Sequence, residues 1–381
     1  MINNEITIGM NGSMLDDKPT GVGVYSFNLI NNLSNLAVKN NWNKITVFTP
    51  TSLLLNRNLT IIKLSSLLQS SKHGKLAAFC RFIWNTFYYP IQARKFNLLI
   101  SPTTHGSFLL KNQIITIHDL ISLHYKNISP HQRFYFKYLL PFLIRRAALI
   151  IAVSENTKKD IVHFFKCPEE KIRVIYNGYD DAIYYPADAN SCVIYEEYKV
   201  KNYLLAIGPT YPHKNFEMLI NAYNDLTEAT KKKYPLVIAG GKEKYLFLLK
   251  QYVKNLGLEK SIYFIDYVPI RFMPSLYREA FALVFPSLYE GFGIPLLEAM
   301  ACGCPVISSN TSSMPEVCGN AALYFNPLDK FSLTSSIQEI ILNNDLRNEL
   351  VTKGFERVKE FSWKKMAQAF NNEIENHFKN N

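Results

Sequence analysis

Short apolar runs alternate with helix-length amphipathic stretches along this chain, and that rhythm admits few folds. In the first half the runs are Glu5–Gly9, Ile45–Phe48, Leu98–Ser101, Ile114–His118, Leu149–Val153 and Arg173–Tyr176. In the second half they are Tyr203–Ile207, Leu236–Ala239, Ile262–Phe264, Phe281–Phe285, Val306–Ser308 and Ala322–Phe325. Such alternation predicts parallel sheets with helices on both faces. A polar stretch holding Pro186, residues 181–200, breaks the rhythm and reads as a linker. At 381 residues the chain exceeds what one core usually fills. The expected fold class is therefore α/β: two doubly wound, Rossmann-like domains, 1–180 and 201–363, facing a central cleft between strand carboxyl ends.

Charge and apolar patterning narrow the setting. Residues 1–12 are too polar for a leader, and the longest apolar stretch, Leu139–Val153, is broken by Arg145 and Arg146. The six cysteines show no ligand spacing; Cys302-Gly-Cys304 sits in a strand–helix repeat, where small packing residues are expected rather than a metal. Free thiols without an export signal predict a cytoplasmic protein. The net charge of +11 lies entirely in the first half, where residues 1–185 hold 21 Lys and Arg against 10 Asp and Glu. Between Asp17 and Asp119 there is no acidic residue, and aromatics around Trp84 interleave with Arg81, Arg94 and Lys95. That composition fits a segment on an anionic membrane surface, and equally a core helix with a solvated basic edge. No zinc pattern or nucleic-acid-binding signature accompanies the charge, so nucleic acid is not an expected partner.

The stretch with most chemistry runs from Phe285 to Gly303. Pro286 ends a strand, Gly291 and Gly293 supply a tight loop, and Pro295 sits where a helix begins. Glu290 then lies in the loop and Glu298 about one turn into the helix. Backbone N–H groups between them, with the helix dipole, favour an anion. Two glutamates at this spacing alone would read as ordinary surface charges. The glycine loop and the return into another strand set this segment apart. It suits a ligand with a central diphosphate and hydroxyl-rich groups on both sides, such as a nucleotide sugar.

Taken whole, Glu290-Gly-Phe-Gly-Ile-Pro-Leu-Leu-Glu298-Ala-Met-Ala-Cys-Gly resembles the donor site of retaining glycosyltransferases of family 4, which have the two-domain GT-B fold. The resemblance covers nearly the whole chain. It implies that Glu290 holds hydroxyls of the transferred sugar, that Glu298 holds the ribose hydroxyls, and that Gly291, Phe292, Gly293 and Ile294 line the donor loop. The glycines Gly21 and Gly23, after the first strand, look like the family loop that approaches the donor diphosphate. His118 ends a strand in the family's manner and is expected to touch the sugar. Val153-Ser154-Glu155 looks like a strand end followed by a helix cap, and Tyr176-Asn-Gly178 like a turn near the hinge. Lys214 is the carried-over phosphate ligand, opposing the charge that develops on the departing nucleoside diphosphate. His213 stands where related mannosyltransferases have arginine, which leaves open whether a second full charge is present. Tyr267 and Val268 resemble the segment flanking the base. The closing helix, about 364–381, is expected to cross back and belong with the N-terminal domain.

The implied activity is metal-independent hexosyl transfer with retention. No Asp-x-Asp occurs in a suitable place, no cofactor is expected, and the nucleotide sugar is a substrate. The form of the motifs looks most like bacterial mannosyl- or rhamnosyltransferases of polysaccharide or O-antigen assembly. GDP-mannose is the first choice of donor, with UDP- and dTDP-sugars as alternatives. The expected acceptor is a polyprenyl-diphosphate-linked sugar or an oligosaccharide, and the expected place is the inner face of the cell membrane, held peripherally by anionic lipid. Other readings are a sugar-nucleotide epimerase or phosphorylase on the same fold, and a basic scaffold binding nucleic acid or membrane.

Overall fold

The computed structural model describes residues 6–17, 21–39, 44–51, 55–126, 128–186, 199–241 and 243–379. Glu5 of the first expected strand, Lys18, Thr20, Cys192 and residues 187–198 of the expected linker lie outside them. The chain divides into two compact units: Met1–Gly178 with Trp363–Asn381, and Tyr179–Ser362.

The first unit is built on a parallel sheet of seven strands: β1 (Thr7–Asn11), β2 (Lys44–Thr49), β3 (Thr60–Lys63), β4 (Leu98–Ser101), β5 (Gln113–Ile117), β6 (Leu149–Ala152) and β7 (Ile172–Val174), in the order β3-β2-β1-β4-β5-β6-β7. β4 and β6 are buried at every residue, as continuous apolar runs in a helix-covered parallel sheet require. β3 was not among the expected strands. It is short, mostly exposed and at the sheet edge, where packing asks little of its side chains. Ser154 caps the helix Glu155–Phe165 by accepting from the Thr157 amide at 3.0 Å. The closing helix, Trp363–Lys379, packs on the helix Gly21–Lys39, with Trp363 meeting Tyr25 edge-on at 6.4 Å.

The second unit has six parallel strands: β8 (Leu204–Ile207), β9 (Leu236–Ala239), β10 (Ile262–Ile265), β11 (Ala282–Phe285), β12 (Val306–Ser309) and β13 (Ala322–Phe325), in the order β10-β9-β8-β11-β12-β13. Its core shows why the helices form where they do. Phe216, Leu219, Ile220 and Tyr223 recur at helical spacing on Phe216–Asn224 and bury against Leu204, Leu236 and Val284. Strand order reverses direction between β8 and β11. In open parallel sheets that switch point leaves a crevice outside the carboxyl ends, where ligands bind. The loops leaving these two strands carry Lys214 and Glu290.

Candidate active site

Both sides of the switch point are fixed by local backbone chemistry. After β8 the chain makes a single tight turn, Pro212–Lys214, and Asn215 takes a left-handed conformation while its side-chain amide donates to the Pro327 carbonyl at 2.8 Å. After β11 the loop ends at Gly293, whose φ of 103° suits glycine, and a Cβ there would stand 2.9 Å from the Leu296 side chain. The helix Ile294–Ala301 starts at once, with Pro295 in its first turn. The Leu288 amide donates to the His213 carbonyl at 2.8 Å, tying the two loops together.

At their meeting point Lys214 Nζ donates to Glu290 Oε1 at 2.6 Å. The two side chains are 21% and 13% exposed, so the pair faces the crevice without being sealed in it. Ser287 Oγ donates to the same Oε1 at 2.6 Å. The Glu290 backbone is held from the next loop: Ser312 Oγ accepts from its amide at 3.2 Å and donates to its carbonyl at 2.7 Å. Ser313 Oγ also reaches the Glu290 carbonyl at 3.0 Å and the Phe292 carbonyl at 2.8 Å. Ser312 itself has φ 56°, a conformation costing a non-glycine residue roughly 1–2 kcal/mol.

Glu298 sits in different surroundings. Tyr277 donates its hydroxyl to Glu298 Oε2 at 2.8 Å. Burial pushes the carboxyl up to about 7, partly offset by hydrogen bonds from Tyr277 and Tyr184 and reinforced by Asp180. At the C-terminal end of the same helix Cys302 and Cys304 are buried, and desolvation pushes the Cys302 thiol up to about 12.

His213 answers the question of a second charge that the sequence leaves open. Its ring is buried and stacks on Tyr211 at 5.8 Å. Burial, then the neighbouring Lys214, pulls it down to about 4, so at pH 7 it is neutral. Of the pair His213–Lys214, only Lys214 carries a full positive charge.

In the first unit His118 follows β5. Its Nε2 lies 2.9 Å from the Pro102 carbonyl, which only accepts, so Nε2 carries the proton and Nδ1 is left as an acceptor. Tyr25 meets the ring edge-on at 4.7 Å, and burial pulls His118 down to about 4. Gly21 and Gly23 form the first turn of the helix Gly21–Lys39 and neither has positive φ, so they are helical here rather than a loop.

Comparison with known proteins matches residues 19–183 to the Glycosyltransferase Family 4 model and residues 193–357 to the Glycosyl transferases group 1 model. The chain is 34% identical over 275 residues to the O-antigen chain mannosyltransferase RfbU of Salmonella typhimurium, covering 71% of this chain and 74% of that one. It is 30% identical over 365 residues to the O-antigen chain mannosyltransferase B of Escherichia coli, covering 90% and 93%. The chain belongs to the family 4 type of glycosyltransferase. Its fold matches the sucrose-phosphate synthase of Thermosynechococcus elongatus with a TM-score of 0.75 at 18% identity, over 99% of this chain and all of that one. That places the glycosyltransferase among GT-B folds.

The expected site residues of this glycosyltransferase divide by location. Lys214, Glu290 and the loop Gly291–Ile294 share the switch point, and Glu298 follows within the helix. Tyr267 and Val268 leave β10, three strands from β11 and so about 14 Å away at ordinary strand spacing. Tyr267 is 77% exposed, a ring presented to solvent. Ser287, Ser312, Ser313, Tyr277 and Tyr184 were not anticipated. The only sequence signal for the serines is their place just after β11 and β12, which are neighbours in the sheet.

Proposed function

We propose that this glycosyltransferase transfers a hexose with retention from a nucleotide sugar, GDP-mannose as first choice, to a polyprenyl-diphosphate-linked sugar or oligosaccharide in bacterial O-antigen assembly. The Lys214–Glu290 pair at the switch point carries the reading. A cation held beside a hydroxyl-accepting carboxylate suits the junction between a diphosphate and a sugar. Lys214 opposes the negative charge that grows on the leaving diphosphate. Ser287 and Ser312 hold Glu290 in place, so its carboxylate is preorganised to accept sugar hydroxyls. Glu298 takes the ribose hydroxyls, and Tyr267 the base. Neutral His118, with Nδ1 as acceptor, suits a hydroxyl of the transferred sugar. The names of the two curated relatives support mannose and O-antigen.

In the reaction the anomeric carbon–phosphate oxygen bond breaks and a bond to the acceptor oxygen forms on the same face. The acceptor proton passes to the departing phosphate oxygen. The protein contributes position and electrostatics, with no covalent intermediate. A lysine at the diphosphate supports transfer without a metal. The enzyme would work peripherally at the inner face of the cell membrane, where a lipid-linked acceptor lies.

The test is transfer from GDP-mannose, UDP-sugars and dTDP-sugars to a polyprenyl-diphosphate-linked acceptor, with and without a chelator, and the linkage read by NMR. A retained linkage formed with chelator present is expected. An inverted linkage, or strict dependence on a divalent ion, would refute the reading. Donor turnover to an epimer or sugar phosphate without acceptor would favour an epimerase or phosphorylase.

A further inference from the structure

Two helical stretches of the first unit carry most of its exposed bulk. One is 70–93, the other 130–146, and each contains one wide π turn, Trp84–Tyr88 and Tyr135–Leu139. A proline follows each turn within two residues, Pro90 and Pro141. Proline has no N–H for the usual helical bond, and the widened turn lets the helix continue past it. Between the two stretches lies a groove of about 400 Å³ lined by Phe82, Thr86, Phe108, Leu139 and Phe142, with Arg145 and Arg146 also lining it. Thr86 Oγ1 is spent on the Phe82 carbonyl at 2.7 Å, so it does not ask for a polar ligand. Phe142 is 58% exposed, and Phe79, Phe87, Tyr88, Phe134 and Tyr138 are exposed along the same two stretches.

The charge beside this apolar surface has one sign. Neither stretch contains a carboxylate, and between Asp17 and Glu155 the sole acidic residue is Asp119. Arg145 and Arg146 are exposed at the groove, Arg146 spending one donor on the Leu109 carbonyl at 3.3 Å. Of the cations interleaved with the aromatics around Trp84, Arg94 and Lys95 are exposed. Arg81 is buried and donates to the Leu68 carbonyl at 2.5 Å, and Lys72 pairs with Asp17 at 2.8 Å. Trp84 is half-buried against Phe48 and Tyr89.

We propose that this groove takes an acyl chain of an anionic phospholipid bilayer, with Arg145 and Arg146 on the lipid phosphates and the exposed aromatics of both helices in the interface. Apolar walls with two exposed cations in the lining and no carboxylate on either helix match a lipid of that kind, whose apolar chain ends in a negative headgroup. The proposal deepens the reading of a peripheral membrane glycosyltransferase and rests on it.

Vesicles of zwitterionic lipid, alone or mixed with anionic phospholipid, are sedimented with the full chain at low salt. The wild type should pellet with the anionic vesicles only. Arg145→Glu with Arg146→Glu should weaken this by more than about tenfold, and Phe142→Asp or the milder Phe142→Ser should weaken it at any charge. The control Lys232→Glu with Lys233→Glu, exposed in the second unit, should pellet as the wild type does. Thermal midpoints and nucleoside diphosphate affinity should be unchanged in all variants, since every altered side chain is exposed. Pelleting that ignores Phe142 or the two arginines would overturn the proposal. So would a wild type that ignores anionic vesicles but self-associates through Phe142, which would point to a second copy instead. Failure of glycosyl transfer with pelleting that still follows these variants would refute the enzymatic reading and leave the groove standing.

Discussion

At the strand ends of the first unit stand two buried, neutral histidines. His105 and His118 are both pulled down to about 4, His105 by burial and then by Arg81, His118 by burial. At the strand ends of the second unit a full charge pair, Lys214 and Glu290, stands partly open. The same parallel-sheet geometry therefore presents hydrogen-bonding groups in one place and electrostatics in the other. The difference comes from solvent access. A histidine stripped of water gives up its proton, while Lys214 and Glu290 meet in direct hydrogen-bonded contact at a partly open crevice. Within the second unit the contrast recurs, since Glu298 is desolvated to about 7 a few residues beyond Glu290.

The largest effect should come from removing the charge that distinguishes the second unit. Lys214→Ala should lower transfer by about two orders of magnitude or more, the scale of losing one preorganised electrostatic group. Its thermal midpoint should fall yet stay above the assay temperature, because the mostly buried Glu290 carboxylate loses its cation but keeps Ser287. Transfer that survives the substitution would remove Lys214 from the site and with it the functional sense of the comparison.

Glu298 sharpens it. Glu298→Ala should weaken nucleoside diphosphate binding by about 1.5–3 kcal/mol, measured by calorimetry. In the wild type that affinity should rise as pH climbs through about 7, because the carboxylate is the form that accepts ribose hydroxyls. An affinity flat from pH 6 to 8 and untouched by the substitution would make Glu298 structural.

The same carboxyl should weaken the fold. Its folded value of about 7 lies above the ordinary 4.5, so the unfolded chain gives up the proton first. Stability is then undiminished below about pH 4.5, falls as pH rises to about 7, and stays reduced above it. Glu298→Gln, which can still accept from Tyr277, should relieve this by up to about 3 kcal/mol at pH 8 and by little at pH 4.5, read from denaturant unfolding. A variant no more stable than wild type at pH 8 would show that water reaches the carboxyl.

The smallest effect belongs to the neutral region. His118→Ala should cost up to about tenfold in transfer, one neutral hydrogen bond. It should leave the shape of the pH–rate profile between 5.5 and 8 unchanged, because His118 is already deprotonated there. A limb near pH 6.5 that vanishes with His118 would break the comparison from the other side.

Much of this molecule is legible in its residue pattern. Among the described residues, twelve of the thirteen strands overlap the expected runs, most plainly the central ones, because parallel strands buried on both faces must be apolar throughout. β3 escapes because an exposed edge strand has no such obligation. Glu290, the glycine loop and Glu298 are legible because a strand–loop–helix turn has a fixed local spacing. Tyr277 and Tyr184 are not. They reach Glu298 from elements distant in sequence, and no spacing predicts that meeting.

The sequence by itself determined where chain direction, strand ends and helix starts fall, and so which residues lie on the loops after β8 and β11. Those are consequences of periodicity, proline and glycine, which act over a few residues. Only the tertiary structure decided which of those residues are charged and which face solvent. His213 became neutral under Tyr211 and beside Lys214, and Arg81 left the surface for the Leu68 carbonyl. Phe142, with Arg145 and Arg146 that interrupt its apolar run, came to line a groove with Phe82 and Thr86. Solvent access and cross-chain neighbours are set by packing between distant segments, and they govern both ionisation and surface chemistry.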